Sequence, residues 1–134
     1  FSIQLDNDTE LMAYFLRKKD GGLAEASSGT FVEKSGKSVH LNLSDFVIER
    51  LDYWKSPATG AVYPSSWKLK VPALGLELLL DSNLEDQEMQ TDESTSVTYW
   101  EGSVSVEGNF RGKRVGGFGY AELTGYAGDF SEKM

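Results

Sequence analysis

Apolar residues recur at every second position along most of this 134-residue chain, and that period limits the possible folds more than any other feature. A period of two is typical of β-strands with one buried face, whereas an amphipathic helix shows a period of 3.6. Phe1, Ile3 and Leu5 would share one face of a first strand, and the same alternation returns in residues 38–43. The pattern predicts roughly nine or ten strands and little helix.

Turn-forming residues separate these predicted strands at short intervals. Residues 34–37 (Lys-Ser-Gly-Lys) suit a hairpin turn, and residues 56–66, which include prolines and a glycine, predict a loop. A long hairpin is expected between residues 99–107 and 114–126, with its turn in residues 108–112.

Other stretches carry less regular patterns. Residues 10–19 are apolar on both faces, which predicts an interior strand or a strand covered on both sides. A slip or bulge is expected near Glu49, and the acidic stretch 81–93 is predicted to follow the surface around a short strand near Glu88. Trp67 and Trp100 lie in predicted strands and should be more buried than Trp54, which stands beside a loop.

An antiparallel lipocalin-like β-barrel is the economical fold for so many short strands, because closure leaves few open edges. We therefore predict an all-β fold, with residues 1–134 forming a single domain. The glycines at 116, 117 and 119 fit a strand that bends sharply.

Charge and composition argue against several classes of function. The net charge of −8 disfavours nucleic-acid binding, because phosphate backbones repel such a surface. The absence of cysteine removes disulfides, thiolate nucleophiles and thiolate zinc sites. Apolar runs such as residues 78–80 are far too short to span a bilayer. No cofactor is predicted.

The acidic stretch has oxygen-bearing side chains at Asp81, Asn83, Glu85 and Asp92, a spacing that loosely resembles that of a calcium-binding loop. Such a loop needs glycine at its sixth position and usually glutamate at its twelfth, where this chain has Asp86 and Asp92. We interpret the stretch as a solvated acidic loop and predict no metal site.

Two further features also favour ordinary structural roles. The glycine-rich residues 116–119 lie within a β pattern, whereas a phosphate-binding loop needs a helix directly after it. His40 is the only histidine and lies on the polar face of its predicted strand, so a surface role is favoured over catalysis or metal binding.

Aromatic residues and carboxylates alternate in residues 99–102 and 119–126, which makes these segments the best candidates for a site. If Gly108 pairs with Arg114, Trp100 lies opposite Glu122; a slip of one residue would place Glu101 opposite Glu122 or Tyr120. A carboxyl enclosed by aromatic rings has a raised pKa and can act as a general acid. A structural glutamate bonded to backbone is the simpler alternative.

Eight segments of the chain, taken in order and with their spacing, resemble the hydroxyneurosporene synthase (carotenoid hydratase) and AttH-type lipocalin-like family. The resemblance is to the C-terminal half of the family and extends over nearly the whole chain. The segments are residues 1–5, 10–12, 17–21, 54–60, 63–67, 87–88, 99–102 and 119–126.

The resemblance implies two lipocalin-like halves in the full-length protein and an apolar ligand site in or between them. Hydratase members of the family protonate a terminal carotenoid double bond and add water across it. Much of that chemistry is placed around an acidic–Trp motif upstream of the position of Phe1. We therefore expect this chain to be the C-terminal half of a longer two-domain protein, with a periplasmic or secreted location favoured.

Three functions remain open at this point: binding of an apolar lipid, terpenoid or carotenoid-like molecule, hydratase or cyclase catalysis, and bracing of the N-terminal domain. The expected partners are that molecule, the N-terminal lipocalin-like domain and a second copy in a homodimer. Glu122, ahead of Glu101, is the candidate acid. The candidate ligand-binding residues are all aromatic: Tyr63, Trp67, Tyr99, Trp100, Tyr120 and Tyr126.

Overall fold

The alternating segments form one antiparallel sheet in a computed structural model, which describes residues 1–90 and 98–126. The strands are β1 (Ser2–Leu5), β2 (Glu10–Tyr14), β3 (Ser28–Val32), β4 (Ser38–Asn42), β5 (Val47–Lys55), β6 (Val62–Val71), β7 (Leu76–Ser82), β8 (Glu88–Gln90), β9 (Thr98–Phe110) and β10 (Lys113–Thr124). Two single-turn 3-10 helices, Leu43–Asp45 and Pro72–Leu74, interrupt them. Within the described ranges, no helix is long and apolar enough to cross a bilayer. The all-β prediction is confirmed.

The sheet curls into a half-barrel of the lipocalin-like kind. Its strand order is β4-β3-β2-β1-β10-β9-β7-β6-β5, with β8 paired to β9 off this path. Among the described residues no ladder joins β4 to β5, so these two strands remain edges. Aromatic contacts instead join parts of the sheet that are not neighbours in the strand order. The ring centroids of Phe1 and Trp67 lie 5.0 Å apart, and those of Phe31 and Phe110 lie 5.6 Å apart.

The core fills the concave face of this half-barrel. In β7, Leu76, Leu78 and Leu80 are buried, whereas Leu79 between them is 40% exposed on the convex face. This alternation follows directly from the pleat, which sends successive side chains to opposite faces. The expected order of tryptophan burial is confirmed, because Trp67 and Trp100 are buried and Trp54 is only partly buried.

Of the two alternatives for residues 10–19, an interior strand is confirmed for β2, which pairs with both β1 and β3, whereas cover on both faces is wrong. The strand β2 ends at Tyr14, and the side chains of Met12 and Tyr14 are 58% and 55% exposed. Their apolar character had suggested burial, but they lie on the convex face, over which the described residues place no second layer.

The predicted loop at residues 56–66 is too long, because β6 already begins at Val62 and includes Pro64. Proline is tolerated here for two reasons. The ladder between β6 and β7 starts only at Ser66, and the register with β5 shifts beside Pro64. The bulge expected near Glu49 is confirmed, with register shifts that begin at Arg50 and extend to Tyr53.

The β9–β10 hairpin has a turn of two residues instead of the predicted five. Arg111 and Gly112 have φ angles of 52° and 80°, the left-handed conformation at both positions that defines a tight type I′ turn. Gly108 consequently pairs with Val115 rather than Arg114. That difference of one residue changes every cross-strand pair along the hairpin.

Two adjacent glycines of β10 offer a matched test of this packing. A Cβ atom on Gly117 would overlap the carbonyl oxygen of Gln4 in β1, whereas one on Gly116 would meet nothing closer than 3.5 Å. We expect Gly117→Ala to lower the free energy of unfolding by about 2–3 kcal/mol, because the backbone of β1 must shift. Gly116→Ala should change it by less than about 0.5 kcal/mol. Urea unfolding followed by fluorescence measures both, and equal losses would contradict the described packing of β1 on β10.

Candidate functional site

A cavity of about 760 Å³ opens at the end of the half-barrel where β2 and β10 end. This volume falls within the range typical of small-molecule sites. The apolar side chains in its wall include Phe1, Phe15, Ile48, Trp67, Leu123 and Tyr126. Charged side chains also line it: Arg17, Lys18, Lys19, Arg50 and Glu122.

One wall of the cavity forms because the chain leaves the sheet after β2. Phe15 packs edge-on against Phe46, with centroids 5.2 Å apart. Residues 16–24 then fold back in a small hairpin, here called the basic hairpin, in which Arg17 pairs with Leu23. The backbone N–H of Leu16 donates to Ser27 Oγ at 2.8 Å and holds the base of this hairpin to the sheet.

Arg17 fixes the position of Tyr126 beside the cavity. Its guanidinium lies 3.5 Å from the centroid of the Tyr126 ring, and its Nη2 donates to the carbonyl oxygen of Gly125 at 2.6 Å. A cation over an aromatic face is attracted by the ring quadrupole. The centroid of the Tyr126 ring also lies 5.8 Å from that of Tyr63, whose ring in turn stacks on Trp54 at 6.1 Å.

Behind Tyr63, three hydroxyl groups converge on the carboxylate of Glu88. Ser56 Oγ donates to Glu88 Oε1 at 2.5 Å, while Thr59 Oγ1 and the Tyr63 hydroxyl donate to Oε2 at 2.7 Å and 2.6 Å. Ser56 Oγ also accepts from the backbone N–H groups of Ala58 and Thr59. The carboxylate therefore ties the loop after β5, the start of β6 and the short strand β8 into one unit, here called the Glu88 cluster.

The hydrogen bonds of the Glu88 cluster set its protonation. Burial acts to raise the pKa of Glu88, but the bonds from Ser56, Tyr63 and Thr59 stabilise the charged form and together lower the pKa below its ordinary value. Burial, followed by the bond and charge of Glu88, raises the pKa of Tyr63. At neutral pH the pair is thus a carboxylate and a neutral phenol, so Glu88 is an anchor and not a proton donor.

Four of the candidate ligand-binding residues belong to the inner side of the half-barrel. Tyr63, Trp67 and Trp100 are each at most 2% exposed, and Tyr126 packs against the core. Trp67 and Tyr126 line the cavity directly. The ring of Tyr63 packs against that of Tyr126. Trp100 Nε1 donates a hydrogen bond to the carbonyl oxygen of Glu85 at 2.6 Å.

Tyr99, Glu101, Tyr120 and Glu122 alternate with buried residues and so lie on the convex side. The register in which Trp100 faces Glu122 is wrong, because the two-residue turn places Glu101 opposite Glu122. Tyr120 is 49% exposed, and the negative charge of Glu101 is the main cause that raises the pKa of Tyr99. The expected aromatic wall around Glu122 is therefore not formed.

Glu122 nevertheless lies beside the cavity, although it is on the strand position opposite Glu101. Its side chain is exposed and lines the cavity, whereas Glu101 does not. The structure thus distinguishes the two candidate acids by position.

Sequence reasoning missed the Glu88 cluster. Its residues come from segments 54–60, 63–67 and 87–88, all of which carried the family resemblance, and Glu88 pairs with Trp100 of segment 99–102. The presence of all these segments in the family resemblance was the one signal that could have predicted the cluster. Glu88 was not recognised because it lies within an acidic stretch that was interpreted as solvated surface.

The half-barrel with an aromatic cavity at its end defines a lipocalin-like protein. A family model described as AttH-like matches residues 1–126, and the chain therefore belongs to the AttH-like family.

Two crystal structures resemble this fold over nearly the whole chain. One is a Nitrosomonas europaea protein described as AttH, with a TM-score of 0.79 and 30% identity, in which the match covers 93% of this chain and 37% of that one. The other is kievitone hydratase from Nectria haematococca, with a TM-score of 0.71, 21% identity and coverage of 94% and 39%. The chain spans less than two-fifths of either protein. Comparison with curated proteins found no match.

The Glu88 cluster can be tested by Glu88→Gln, with Glu85→Gln as the matched control because the Glu85 side chain is exposed nearby. Glutamine offers one acceptor oxygen where three hydroxyls now donate, so we expect a loss of about 1–3 kcal/mol in the free energy of unfolding at pH 7. The control should lose less than about 0.5 kcal/mol. Equal losses for Glu88→Gln and Glu85→Gln in urea unfolding would mean that the Glu88 cluster contributes nothing to the stability of the fold.

The same variant should change the response to acid. Because the pKa of Glu88 is lower in the folded chain, the unfolded chain binds the proton first as the pH falls. The stabilisation that the Glu88 carboxylate provides is complete above its pKa in the unfolded chain, about 4.3, and is lost as the pH falls through its pKa in the folded chain. The stability difference between wild type and Glu88→Gln should therefore shrink from pH 7 to about pH 3, and a constant difference would contradict this assignment.

Proposed function

We propose that the cavity binds an apolar small molecule, such as a lipid, terpenoid or carotenoid-like compound. The observation that carries this proposal is the cavity of about 760 Å³ with Phe15, Trp67, Leu123 and Tyr126 in its wall. Aromatic and aliphatic walls with a few charged groups at the opening are the usual composition of such sites. The Arg17–Tyr126 contact and the Glu88 cluster support a wall that is formed before the ligand arrives.

The filled interior supports a ligand position at the end of the half-barrel. Trp67, Trp100, Leu78 and Val104 are all at most 2% exposed, so the described concave face is occupied by side chains. A ligand would lie against the outer surface of this core, between β5 and the basic hairpin. If the chain served only to brace the N-terminal domain, the cavity would have no function, so the cavity favours ligand binding over bracing alone.

We also propose that the chain is the C-terminal half of a two-domain protein. Each similar crystal structure is more than twice its length. The convex face offers a docking surface, because Met12 and Tyr120 both lie opposite Ser2 and Phe118 lies opposite Gln4. These three side chains are 49–65% exposed. Such an apolar row suits the N-terminal half, and self-association through it would give the alternative homodimer.

Retinol binding to the full chain tests the small-molecule proposal, with quenching of tryptophan emission as the signal. Ile48 lines the cavity, whereas its neighbour Val47 points to the other face of β5 and is 52% exposed. We expect Ile48→Asn to weaken retinol binding about tenfold, because an apolar contact is replaced by an amide. Val47→Asn is the matched control and should bind as wild type. No saturable binding, or equal weakening in both variants, would refute the proposal.

A second candidate function is catalysis by a hydratase. The name of the kievitone hydratase supports it, as does the presence of Glu122 beside Tyr126 at the cavity. In this reaction the Glu122 carboxyl would protonate one carbon of a double bond, water would attack the other carbon, and the proton lost by that water would restore the acid. Glu88 is unsuited to this role because its pKa is lowered.

Glu122→Gln and Glu101→Gln form a matched pair for this second function, because the residues face each other and only Glu122 lines the cavity. With lycopene as the test alkene, a hydratase should form the product heavier by one water, detected by mass spectrometry. Glu122→Gln should reduce that turnover at least about a hundredfold, and Glu101→Gln should retain it. Absence of product in wild type, or equal turnover in the two variants, would refute a catalytic Glu122.

A further inference from the structure

Positive charge is concentrated at the cavity in a chain that is acidic as a whole. Arg17, Lys18, Lys19 and Arg50 all line the cavity, against Glu122 as the one carboxylate among its lining residues. The formal net charge of the whole chain is −8. An even distribution of charge would not place four cations around one apolar opening.

The four cations come from two parts of the chain, the basic hairpin and β5. Arg50 lies on β5 opposite Trp67 and two residues beyond Ile48, and all three of these residues line the cavity. An alternative explanation for Arg50 is that a charged residue pointing inward from an edge strand prevents that strand from pairing with another chain. That explanation does not account for Arg17 and Lys19, which approach the same opening from the basic hairpin.

The basic hairpin holds its cations in a defined backbone. The N–H of Lys18 donates to the Gly22 carbonyl oxygen at 2.7 Å, and the N–H of Gly22 donates to Asp20 Oδ1 at 2.8 Å. Lys18 Nζ lies 4.0 Å from Asp20, and Arg17 is already held by Gly125.

Lys19 and Arg50 differ from the other two cations in their contacts. Within residues 1–90 and 98–126, neither of them forms an ion pair. Their charged groups are therefore the ones that remain to meet a ligand among the described residues.

We infer that the ligand of this cavity is an amphiphile: an apolar skeleton that ends in an anionic group such as a carboxylate or phosphate ester. The inference rests on the proposed small-molecule function and adds the chemical class of the ligand. The skeleton lies against Ile48, Trp67 and Leu123, while Arg50 and Lys19 bind the anionic end. Guanidinium groups pair with carboxylate and phosphate oxygens through two parallel hydrogen bonds, which suits Arg50 to this role.

Retinol and retinoate test the inference, because they share one apolar skeleton and differ in charge at its end. In the full chain at pH 8, quenching of tryptophan emission gives the dissociation constant of each. We expect retinoate to bind about fivefold to tenfold more tightly, and the preference to diminish in 0.5 M NaCl. Equal affinities would overturn the inference and leave the proposed function intact. Binding of neither probe would remove the proposed function itself.

Charge-removing variants identify the residues involved. Arg50→Gln and Lys19→Gln should each reduce the preference for retinoate over retinol about threefold, whereas Arg114→Gln, an exposed arginine outside the cavity, should keep it. A preference that survives Arg50→Gln and Lys19→Gln together would overturn the assignment. Co-sedimentation with phosphatidylglycerol vesicles, without saturable retinoate binding, would show a membrane-facing hairpin and would also overturn it.

Discussion

The carboxylate of Glu88 is the interaction on which the candidate site depends. An anion placed at the end of an apolar half-barrel must be compensated, and three hydroxyl donors from Ser56, Thr59 and Tyr63 compensate it without a cation. Because Ser56 and Thr59 belong to the β5–β6 connection and Tyr63 to the start of β6, the carboxylate holds that connection in one conformation. Tyr63 is thereby fixed, and its ring supports Tyr126. One wall of the cavity thus depends on a residue that does not line it.

The curl of the sheet has a second consequence, which concerns where a ligand can lie. The contact of Phe1 with Trp67 brings two distant strands together, and the aromatic and aliphatic side chains between them fill the concave face. The space that remains lies where β2 and β10 end and where the sheet leaves β5 as an edge. A site built between an edge strand and a hairpin is open on one side, which suits a ligand with a polar end that remains near water.

The two faces of the sheet therefore serve different purposes in this proposal. The concave face provides stability and one side of the cavity, and the convex face carries the apolar row of Met12, Tyr120 and Phe118. Glu101 and Glu122 meet at the end of that same convex face. If the N-terminal half docks there, it would approach the cavity as well, and a ligand between the two halves would contact both.

The sequence by itself determined most of the strands, because a pleated strand exposes every second residue and apolar periodicity follows that alternation directly. The family was also identified from the sequence. The sequence also predicted the burial of Trp67 and Trp100. The cross-strand partner of Glu122 could not be predicted, since a single residue in the turn at Arg111–Gly112 decides whether it faces Trp100 or Glu101. Only the tertiary structure decided that Glu88 meets Ser56 and Tyr63, because hydrogen bonds between residues 25 and 32 positions apart depend on how the strands are ordered. Local alternation contains no information about that order.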